Sequence, residues 1–561
     1  MPYKKKIIFF FSLILFLGIT LQIQATTLGQ SLDFNIDSSY DISGRNQLTA
    51  TLIKTTSKLY FYIDKTWWDS QSSPRQDEII NKLDLLSQEF ENKIYPNLTS
   101  AFGSEWKPGV DGDERITILI HPMREEAGGY FRTIDEYLKI QMPESNEREM
   151  VYLNANQVEN PRLKALLAHE FVHLITFNQK DKINGVSEET WLNEARAEYA
   201  PTFLGYDDPY EGSNLQKRVK IFLEDPSDPI TEWQNKKSDY GSINLFTQYL
   251  VDHYGIVTLT DSLKSKKIGI PSINESLLKN GFKEDFSQIF TNWLISVFVN
   301  DCNLDLKYCY LNKNLENLKI NPALNFLPLT GKSTLSVTNL TKNWSGSWQK
   351  FVGGKGVLKF EFSSLAGLNF KVPYLVQDKE GKYQVAFLNL TKEQKGEIFI
   401  QDFNSKVSSL IIIPSLQTKI SGFDGPDPTY PYTFTVSILE RTPEEEAKLI
   451  QELLAQIEEL KKQIAEVQAK INVILASRGQ VSCQKFERDL YFGLMNSSEV
   501  RCLQEFLKSQ GIEIYPEGLV TGNYLSLTEA AVKRYQASKG IIQTGYFGSL
   551  TRAVANQALG H

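Results

Sequence analysis

Two histidines four residues apart constrain the fold of this chain more than any other feature. They bound the run His169-Glu170-Phe171-Val172-His173, in a chain that has five histidines among 561 residues. The flanking residues, 162–168 and 174–175, continue a helical pattern of apolar side chains. Residues i and i+4 lie on one face of a helix, so both imidazoles can reach one ion while Glu170 leans over its open coordination position. The run therefore predicts a helix that presents a metal site.

A second helical segment offers the third ligand that a catalytic zinc site needs. Residues 190–200 contain Glu194 and, one turn later, Glu198. Residues 174–193 separate His173 from Glu194, which is enough for a loop and the start of a second helix. We therefore expect Glu194 to complete the protein ligands of one Zn²⁺ ion per chain. The alternative is a pair of satisfied, partly buried histidines and a solvated glutamate.

The two segments together resemble the signature of the gluzincin metallopeptidases, H-E-x-x-H followed at this distance by a W-L-N-E-x-x-A-E-Y type helix. Within that group the chain resembles the hyicolysin-like secreted peptidases most closely, over roughly residues 48–309. The resemblance implies a zincin-like α+β domain and a zinc endopeptidase in which Glu170 is the base toward zinc-bound water. It also implies that Glu198 orients a zinc-bound imidazole, the alternative being a surface carboxylate paired with Arg196 or a lysine.

Two further segments belong to the expected site. Met150–Asn154 precedes the metal helix, where zincin folds place an edge strand that pairs with extended substrate. Tyr240 stands near the start of a predicted helix that runs to His253, and its phenol is our candidate donor to the tetrahedral oxyanion, as Tyr or His is in related enzymes. A core or surface role for Tyr240 is the alternative.

The run Asp111-Gly112-Asp113 is a weaker candidate site for a second cation. Carboxylates two residues apart are suitable hard-oxygen ligands for Ca²⁺. An acidic turn before the strand at Arg115 explains the same residues without a metal. Calcium therefore stands as a secondary expectation beside zinc.

The N-terminus predicts export. Lysines at 4–6 precede an apolar run over residues 7–23, and Ala25 offers a small residue for cleavage. We expect residues 1–25 to be a signal peptide, with an uncleaved membrane anchor as the alternative, and the protein to be secreted or attached to a bacterial cell envelope. The formal net charge of −7 and the lack of a basic patch argue against a nucleic-acid partner.

The four cysteines fall into two local pairs. Cys302 lies near Cys309, and Cys483 lies near Cys502. An exported chain with a low, even cysteine count is expected to form disulfides, and the spacing does not fit a zinc knuckle. We predict one disulfide within each pair.

Changes in periodicity predict a multidomain protein. A polar segment, 26–47, precedes the α+β peptidase domain, 48–325. Short alternating runs between turn residues then predict an all-β sandwich over 330–440. From 443 to 477 the apolar residues recur at spacings of three and four, which predicts a long coiled-coil helix and a weak parallel homodimer. An intrachain helical spacer is the alternative.

The last segment, 482–561, contains a near-repeat in which a Gly turn leads into a helix, at 521–532 and again at 544–555. A third helix, 499–510, is predicted to precede them with Ser498 as its N-cap. The segment resembles the peptidoglycan-binding-type three-helix module of bacterial envelope proteins, and the matching positions are Thr528, Ala531, Val532, Tyr535 and Gln536. It departs from that family at Leu525, where Gly is usual, so a helical interaction module that binds no glycan is the alternative.

These patterns together favour an exported zinc endopeptidase whose other segments tether or space it at the envelope. Its substrate would be a protein or peptide, and its C-terminal module would contact peptidoglycan. One alternative is a wall-associated adhesin or scaffold with an inactive peptidase domain. Another is a hydrolase that acts on the stem peptides of peptidoglycan.

Overall fold

The computed structural model of the chain describes residues 27–329, 333–423, 425–439, 443–476 and 483–561. Two compact units divide it, one up to Glu440 and one from Arg441 to His561. The predicted signal segment, 1–25, lies outside the described residues. No helix in the described part of the chain has both the length and the apolar character needed to cross a membrane.

A mixed six-stranded sheet opens the first unit. Its strands are β1 (Ser31–Asn35), β2 (Gln47–Thr55), β3 (Leu59–Asp64), β4 (Ile116–His121), β5 (Gly129–Phe131) and β6 (Met150–Asn154), in the spatial order β1-β2-β3-β4-β6-β5. β3, β4 and β6 are parallel to one another, and the other strands pair antiparallel. The three parallel strands are buried along their whole length, which explains their continuous apolar sequences.

The two edge strands of this sheet are β1 and β5, so the prediction that Met150–Asn154 is the edge strand is wrong. That segment does form a strand, β6, but β6 pairs with β4 on one side and β5 on the other. β5 has three residues and begins at Gly129. A strand this short has no readable alternation of apolar and polar residues, and only its pairing with β6 reveals it.

Ten helices accompany the sheet within the described part of the first unit. They are α1 (Lys65–Asp69), α2 (Ser73–Glu89), α3 (Tyr95–Phe102), α4 (Leu163–Phe177), α5 (Thr190–Phe203), α6 (Asn214–Glu224), α7 (Lys237–Tyr254), α8 (Val257–Lys264), α9 (Gly269–Lys279) and α10 (Phe286–Val299). The two motif segments lie on α4 and α5. α4 packs Leu167, Phe171 and Ile175 into the core beside Ile118 and Val151 of the sheet. This burial fixes the face on which α4 carries its histidines.

An all-β region follows, as predicted. Its strands are β7 (Ala323–Leu327), β8 (Ser333–Thr341), β9 (Gln349–Gly353), β10 (Gly356–Ser364), β11 (Phe370–Lys371), β12 (Pro373–Asp378), β13 (Tyr383–Phe387), β14 (Lys395–Phe403), β15 (Val407–Ile412), β16 (Ser415–Leu416) and β17 (Tyr430–Ile438). Nine of them belong to one hydrogen-bonded sheet, and β11 pairs with β16. Phe351, Phe360 and Phe434 lie in the apolar core of this region. β14 and β15 are joined by the single residue pair Phe403–Val407. The strands therefore fall into two groups, β8-β17-β10-β14 and β13-β12-β15-β9-β7, whose apolar side chains share this core, which agrees with the predicted sandwich.

The all-β region packs directly against the helices of the same unit. Lys342 Nζ lies 2.6 Å from Glu232 Oε2. The backbone N–H of Gly422 donates to Glu189 Oε1 at 2.7 Å. Trp348 donates its indole N–H to the carbonyl of Leu294 on α10 at 2.9 Å. The two parts consequently share buried surface instead of being joined by a linker alone.

The second unit contains the predicted long helix and the predicted three-helix module. α11 (Pro443–Ala476) ends within one residue of the predicted boundary. Ile450, Ile457 and Ile464 are 45%, 47% and 68% exposed, so the apolar seam is uncovered in a single chain. The module consists of α12 (Ser498–Ser509), α13 (Ser526–Ser538) and α14 (Ser549–Ala558).

The near-repeat of the module is also a repeat of hydrogen bonds. Gln504 donates to Thr528 Oγ1 at 2.8 Å, and its Oε1 accepts from the backbone of Gly522 at 2.8 Å. Gln536 donates to Thr551 Oγ1 at 2.9 Å, and its Oε1 accepts from Gly545 at 3.0 Å. Each buried glutamine thus joins one helix to the turn and the helix that follow.

Two details of this unit refine the predictions. The N-cap of α12 is Ser497, whose hydroxyl accepts from the backbone of Val500 at 3.3 Å, so the assignment to Ser498 is wrong by one residue. Both disulfides are as predicted, Cys302–Cys309 in the first unit and Cys483–Cys502 in the second.

Candidate metal centre

α4 brings the two motif histidines together. Their Nε2 atoms are 3.2 Å apart, and His173 is buried while His169 is partly exposed. The ligand atoms of His169, Glu170 and His173 all lie within 4.8 Å of one another. Among the residues that the structure describes, this is the group in which at least three metal-binding side chains meet at such distances.

Glu194 on α5 faces the same two imidazoles. Its Oε2 lies 3.3 Å from Nε2 of His169, and its Oε1 lies 3.7 Å from Nε2 of His173. Glu194 Oε2 is buried and has no hydrogen-bond partner within the described residues. A buried carboxylate oxygen without a donor is costly, and a cation would compensate it. Two imidazole nitrogens and one carboxylate are a donor set that Zn²⁺ accepts, so these residues fit the predicted ion.

Each histidine is also held through its other ring nitrogen. Nδ1 of His169 lies 3.4 Å from Glu198 Oε1, and Nδ1 of His173 lies 3.0 Å from Asn193 Oδ1. Both partners belong to α5, the helix that carries Glu194. Partners of this kind fix the orientation of a ligating imidazole. Glu198 thus lies where the resemblance implies, whereas the position of Asn193 is a finding of the structure.

Glu198 is held in turn by a partly buried arginine on α6. Arg218 donates to both of its carboxylate oxygens, Nε to Oε2 at 2.7 Å and Nη2 to Oε1 at 2.5 Å. Asn214 and Asn244 each donate to Oε2 at 3.2 Å. Arg196, one of the partners considered for Glu198 as a surface carboxylate, instead donates to Glu188 at 2.8 Å. Glu198 is therefore a buried, fully partnered carboxylate.

The carboxylates and imidazoles shift one another's pKa values. Burial opposes charge on His169, but the adjacent carboxylates of Glu194 and Glu170 raise its pKa to about 9. Burial and the charges of Glu194 and Glu198 raise the pKa of Glu170 to about 8, against the opposing effect of His169. Burial lowers the pKa of His173. The pKa of Glu194 is lowered because the two histidines outweigh the effect of burial.

The edge strand β5 closes one side of this group. A Cβ atom at Gly129 would lie 2.6 Å from the carbonyl oxygen of Tyr152 and 3.0 Å from Glu170 Oε1. The ring of Phe131 is nearly parallel to that of His173, with 6.2 Å between centroids. Only glycine lets the strand approach Glu170 so closely. The sequence analysis did not predict a role for Gly129. The available signal was a glycine next to an aromatic residue in the segment before the metal helix.

Tyr240 lies beside the candidate centre, on the first turn of α7. Its hydroxyl donates to Asn235 Oδ1 at 3.2 Å, and the Arg218 guanidinium stands 4.6 Å from its ring centroid. Burial, followed by the charge of Glu194, raises the pKa of Tyr240. The predicted residue is therefore close enough to Glu194 to be influenced by its charge.

A second phenol, Tyr40, was not predicted. It belongs to the loop between β1 and β2, about 120 residues before α4. Burial and then the charges of Glu170 and Glu194 raise its pKa, while a hydrogen bond with Asn235 opposes the shift. A contact between segments so distant in sequence leaves no local pattern that could have indicated it.

The predicted calcium pair has other partners. Asp113 accepts from Arg115 Nε at 2.9 Å and from the hydroxyl of Tyr60 at 2.8 Å. Asp111 Oδ1 accepts from the backbone of Asp113 at 2.9 Å. These contacts are those of an acidic turn. Calcium at this turn stays a prediction.

Comparison with known proteins gives two informative similarities. One is to the neutral metalloprotease ShpI of Staphylococcus hyicus, with 27% identity over 191 residues, which are 29% of this chain and 41% of that protein. The chain therefore matches less than half of the length of this relative. The other is a match of residues 496–554 to the family described as a putative peptidoglycan binding domain.

The similarities to solved structures are too low to indicate the fold or function of this chain. The periplasmic lysozyme inhibitor PliG of Aeromonas hydrophila matches 21% of this chain and 98% of its own, with 7% identity and a TM-score of 0.15. A pre-peptidase C-terminal domain of collagenase from Bacillus anthracis matches 21% of this chain and 96% of its own, with 9% identity and a TM-score of 0.14. The informative similarities are thus those of sequence: this chain joins a region similar to a neutral metalloprotease to a C-terminal module similar to peptidoglycan-binding domains.

Proposed function

We propose that this chain is an exported zinc endopeptidase of the gluzincin type, held at a bacterial envelope. The observation that carries the proposal is the placement of Glu194, whose carboxylate faces the Nε2 atoms of both His169 and His173 at 3.3 and 3.7 Å. Glu170 lies in the same group but on the α4 side, against the edge strand. Similarity to a neutral metalloprotease supports the same class of activity.

Each residue of the candidate centre has a distinct proposed role in catalysis. Zinc held by His169, His173 and Glu194 would supply a Lewis acid that acidifies water and polarises a peptide carbonyl. Glu170 takes the proton of the attacking water and later delivers it to the leaving amine. Tyr240 is the proposed hydrogen-bond donor to the oxyanion.

Substrate would lie along β5. This strand pairs with β6 on one side only, so its other edge offers backbone N–H and C=O groups to an extended peptide. Gly129 and Phe131 place that edge next to Glu170 and His173. Backbone pairing requires no particular side chain, so it suits an endopeptidase that accepts different sequences.

Metal analysis combined with a cleavage assay tests the proposal. Purified protein is expected to contain about one zinc ion per chain and to cleave an unfolded protein such as casein. Chelation should abolish cleavage, and added zinc should restore it. A protein that takes up no zinc, or that holds zinc and cleaves no peptide, contradicts the proposal and favours the scaffold alternative.

The C-terminal module is proposed to bind peptidoglycan. The match of residues 496–554 to a putative peptidoglycan binding domain supports this assignment. The full chain is expected to sediment with purified peptidoglycan, and a chain that ends before 482 should stay in the supernatant while cleaving soluble casein at an unchanged rate. Equal sedimentation of both proteins, or of an unrelated control protein, would leave the module as a protein-interaction domain.

The exposed apolar seam of α11 supports the proposal that the chain forms a parallel homodimer. Two copies of this helix would bury the apolar residues that a single chain leaves exposed. A weak parallel dimer would place two catalytic units on one stalk. The alternative substrate is the stem peptide of peptidoglycan. Measuring cleavage of casein and of purified peptidoglycan by the same enzyme preparation distinguishes the two substrates.

A further inference from the structure

Two buried glutamates lie between β5 and β6, outside the candidate zinc centre. Glu136 ends a short helical turn that follows β5, and Glu149 immediately precedes β6. Glu136 is fully buried and Glu149 is 2% exposed. Within the described residues, both Oε atoms of Glu136 and Oε2 of Glu149 are buried without a hydrogen-bond partner. Three of the four carboxylate oxygens of this pair therefore have no donor.

The two carboxyl groups face each other within hydrogen-bonding reach. Their segments are joined by the backbone, because the N–H of Arg148 donates to the carbonyl of Asp135 at 2.9 Å. Burial and the charge of Glu149 raise the pKa of Glu136, and burial raises that of Glu149 to about 7. Two buried carboxylates this close repel each other unless a cation or a proton lies between them.

The loop at 109–110 holds the Glu149 carboxylate in place. The backbone N–H of Val110 donates to Glu149 Oε1 at 2.8 Å. Gly109 has a φ of +86°, and a Cβ atom there would lie 1.7 Å from Glu149 Oε2. Only glycine adopts this conformation readily and leaves the carboxylate its space. The charged group is therefore fixed beside Glu136 by its surroundings.

A lysine near the pair does not neutralise it. Lys182 is exposed, and its Nζ stands 3.4 Å from the centroid of the Trp106 ring. Desolvation lowers its pKa, against the opposing effects of the charges of Glu136 and Glu149. The described residues nevertheless contain no ion pair between Lys182 and either glutamate. A buried oxygen without a donor calls for a bound ion or a water molecule.

The chemistry of the pair favours Ca²⁺ among the common cations. Its free donor atoms are all carboxylate oxygens, which are the ligands of Ca²⁺. Zn²⁺ prefers nitrogen and sulfur, and Mg²⁺ usually keeps several of its waters, which a buried pair accommodates poorly. Ca²⁺ also tolerates irregular coordination, which suits ligands from two different segments.

We propose that Glu136 and Glu149 bind one Ca²⁺ ion that ties the turn after β5 to the start of β6. The ion stabilises the pairing of β5 with β6 and thereby the position of Gly129 against Glu170. The site differs from the predicted calcium turn, whose carboxylates accept from Arg115 and Tyr60. It does not depend on the proposed peptidase function. A proton shared by the two carboxyl groups is the competing arrangement.

Calcium titration of the zinc-loaded full chain tests the site. Equilibrium dialysis against radioactive Ca²⁺ is expected to show about one bound ion per chain, and saturating Ca²⁺ should raise the melting temperature by at least about 2 °C. Glu136→Gln and Glu149→Gln should each lower calcium affinity at least about 10-fold and remove this shift. In calcium-free buffer both variants should melt no lower than the unaltered protein, because each removes one of the two repelling charges.

Asp113→Asn is the matched control, since it makes the equivalent change at the predicted calcium turn. Its calcium affinity should equal that of the unaltered protein. An unaltered protein that binds no Ca²⁺ overturns the inference and favours the shared proton. Undiminished calcium affinity in both glutamine variants, or a loss of affinity confined to Asp113→Asn, also overturns it.

Discussion

Replacing Glu170 with Gln is expected to lower kcat by about two to four orders of magnitude while the protein keeps its zinc. The amide has nearly the same shape as the carboxylate but cannot accept the water proton. Because the ion would be held by His169, His173 and Glu194, the change should leave about one zinc per chain. Metal analysis, melting temperature and steady-state kinetics on the same preparation check each part of this expectation.

Glu194→Gln is the matched comparison, since it makes the same chemical change to the other carboxylate of the group. Here zinc affinity should fall first, and activity should fall as the metal is lost. The comparison is informative because Glu170 also lies within 4.8 Å of the histidine ligand atoms. If Glu170→Gln loses zinc and Glu194→Gln retains it, the two roles are exchanged and the proposed mechanism is wrong.

The helices of the candidate centre were predictable because their signals are local. An i, i+4 pair of histidines within an apolar helical pattern indicates α4, and the segment around Glu194 indicates α5. The long helix α11 and the three helices of the terminal module are predictable for the same reason. In each case the residues that fix the element are close together in sequence.

The residues that surround the centre were not predictable, because distant segments supply them. Tyr40 comes from a loop before β2, Gly129 from a three-residue strand, and Arg218 from a helix whose sequence has no motif. Sheet order decided which strand is the edge, and the sequence of Met150–Asn154 reads equally well as an edge or a buried strand. Sequence patterns therefore identified the candidate ligands but not the walls of the cleft.

The all-β region illustrates the same limit. Its strands were recognisable from alternation and turns, which led to the prediction of a separate tether or spacer. Lys342, in the loop between β8 and β9, pairs with Glu232. Glu232 lies three residues before Asn235, which accepts a hydrogen bond from Tyr240. The region thereby holds the segment that contacts Tyr240. Packing between chain segments, which leaves no trace in periodicity, connects this region to the candidate centre.

The ion pair between partly buried Arg218 and buried Glu198 is expected to contribute strongly to both stability and zinc binding. Arg218→Met removes the bidentate partner of a carboxylate that is 1% exposed. Truncating one member of a buried ion pair costs about 3–5 kcal/mol of unfolding free energy, because the other charge stays buried without its partner. Since Glu198 Oε1 also lies 3.4 Å from His169 Nδ1, zinc affinity should fall about 10- to 100-fold. Chemical denaturation and a competitive zinc titration measure the two effects.

Adding Glu198→Gln to Arg218→Met separates the two consequences. The double variant no longer buries a lone charge, so it should recover part of the lost unfolding free energy. Zinc affinity should stay low, because a neutral amide orients the His169 ring less well than the carboxylate does. Arg196→Met is the control, since its partner Glu188 contacts neither histidine: stability should fall without a comparable loss of zinc affinity. Recovery of zinc affinity in the double variant would show that Glu198 acts only as a structural partner of Arg218, and the assignment of its role at His169 would be wrong.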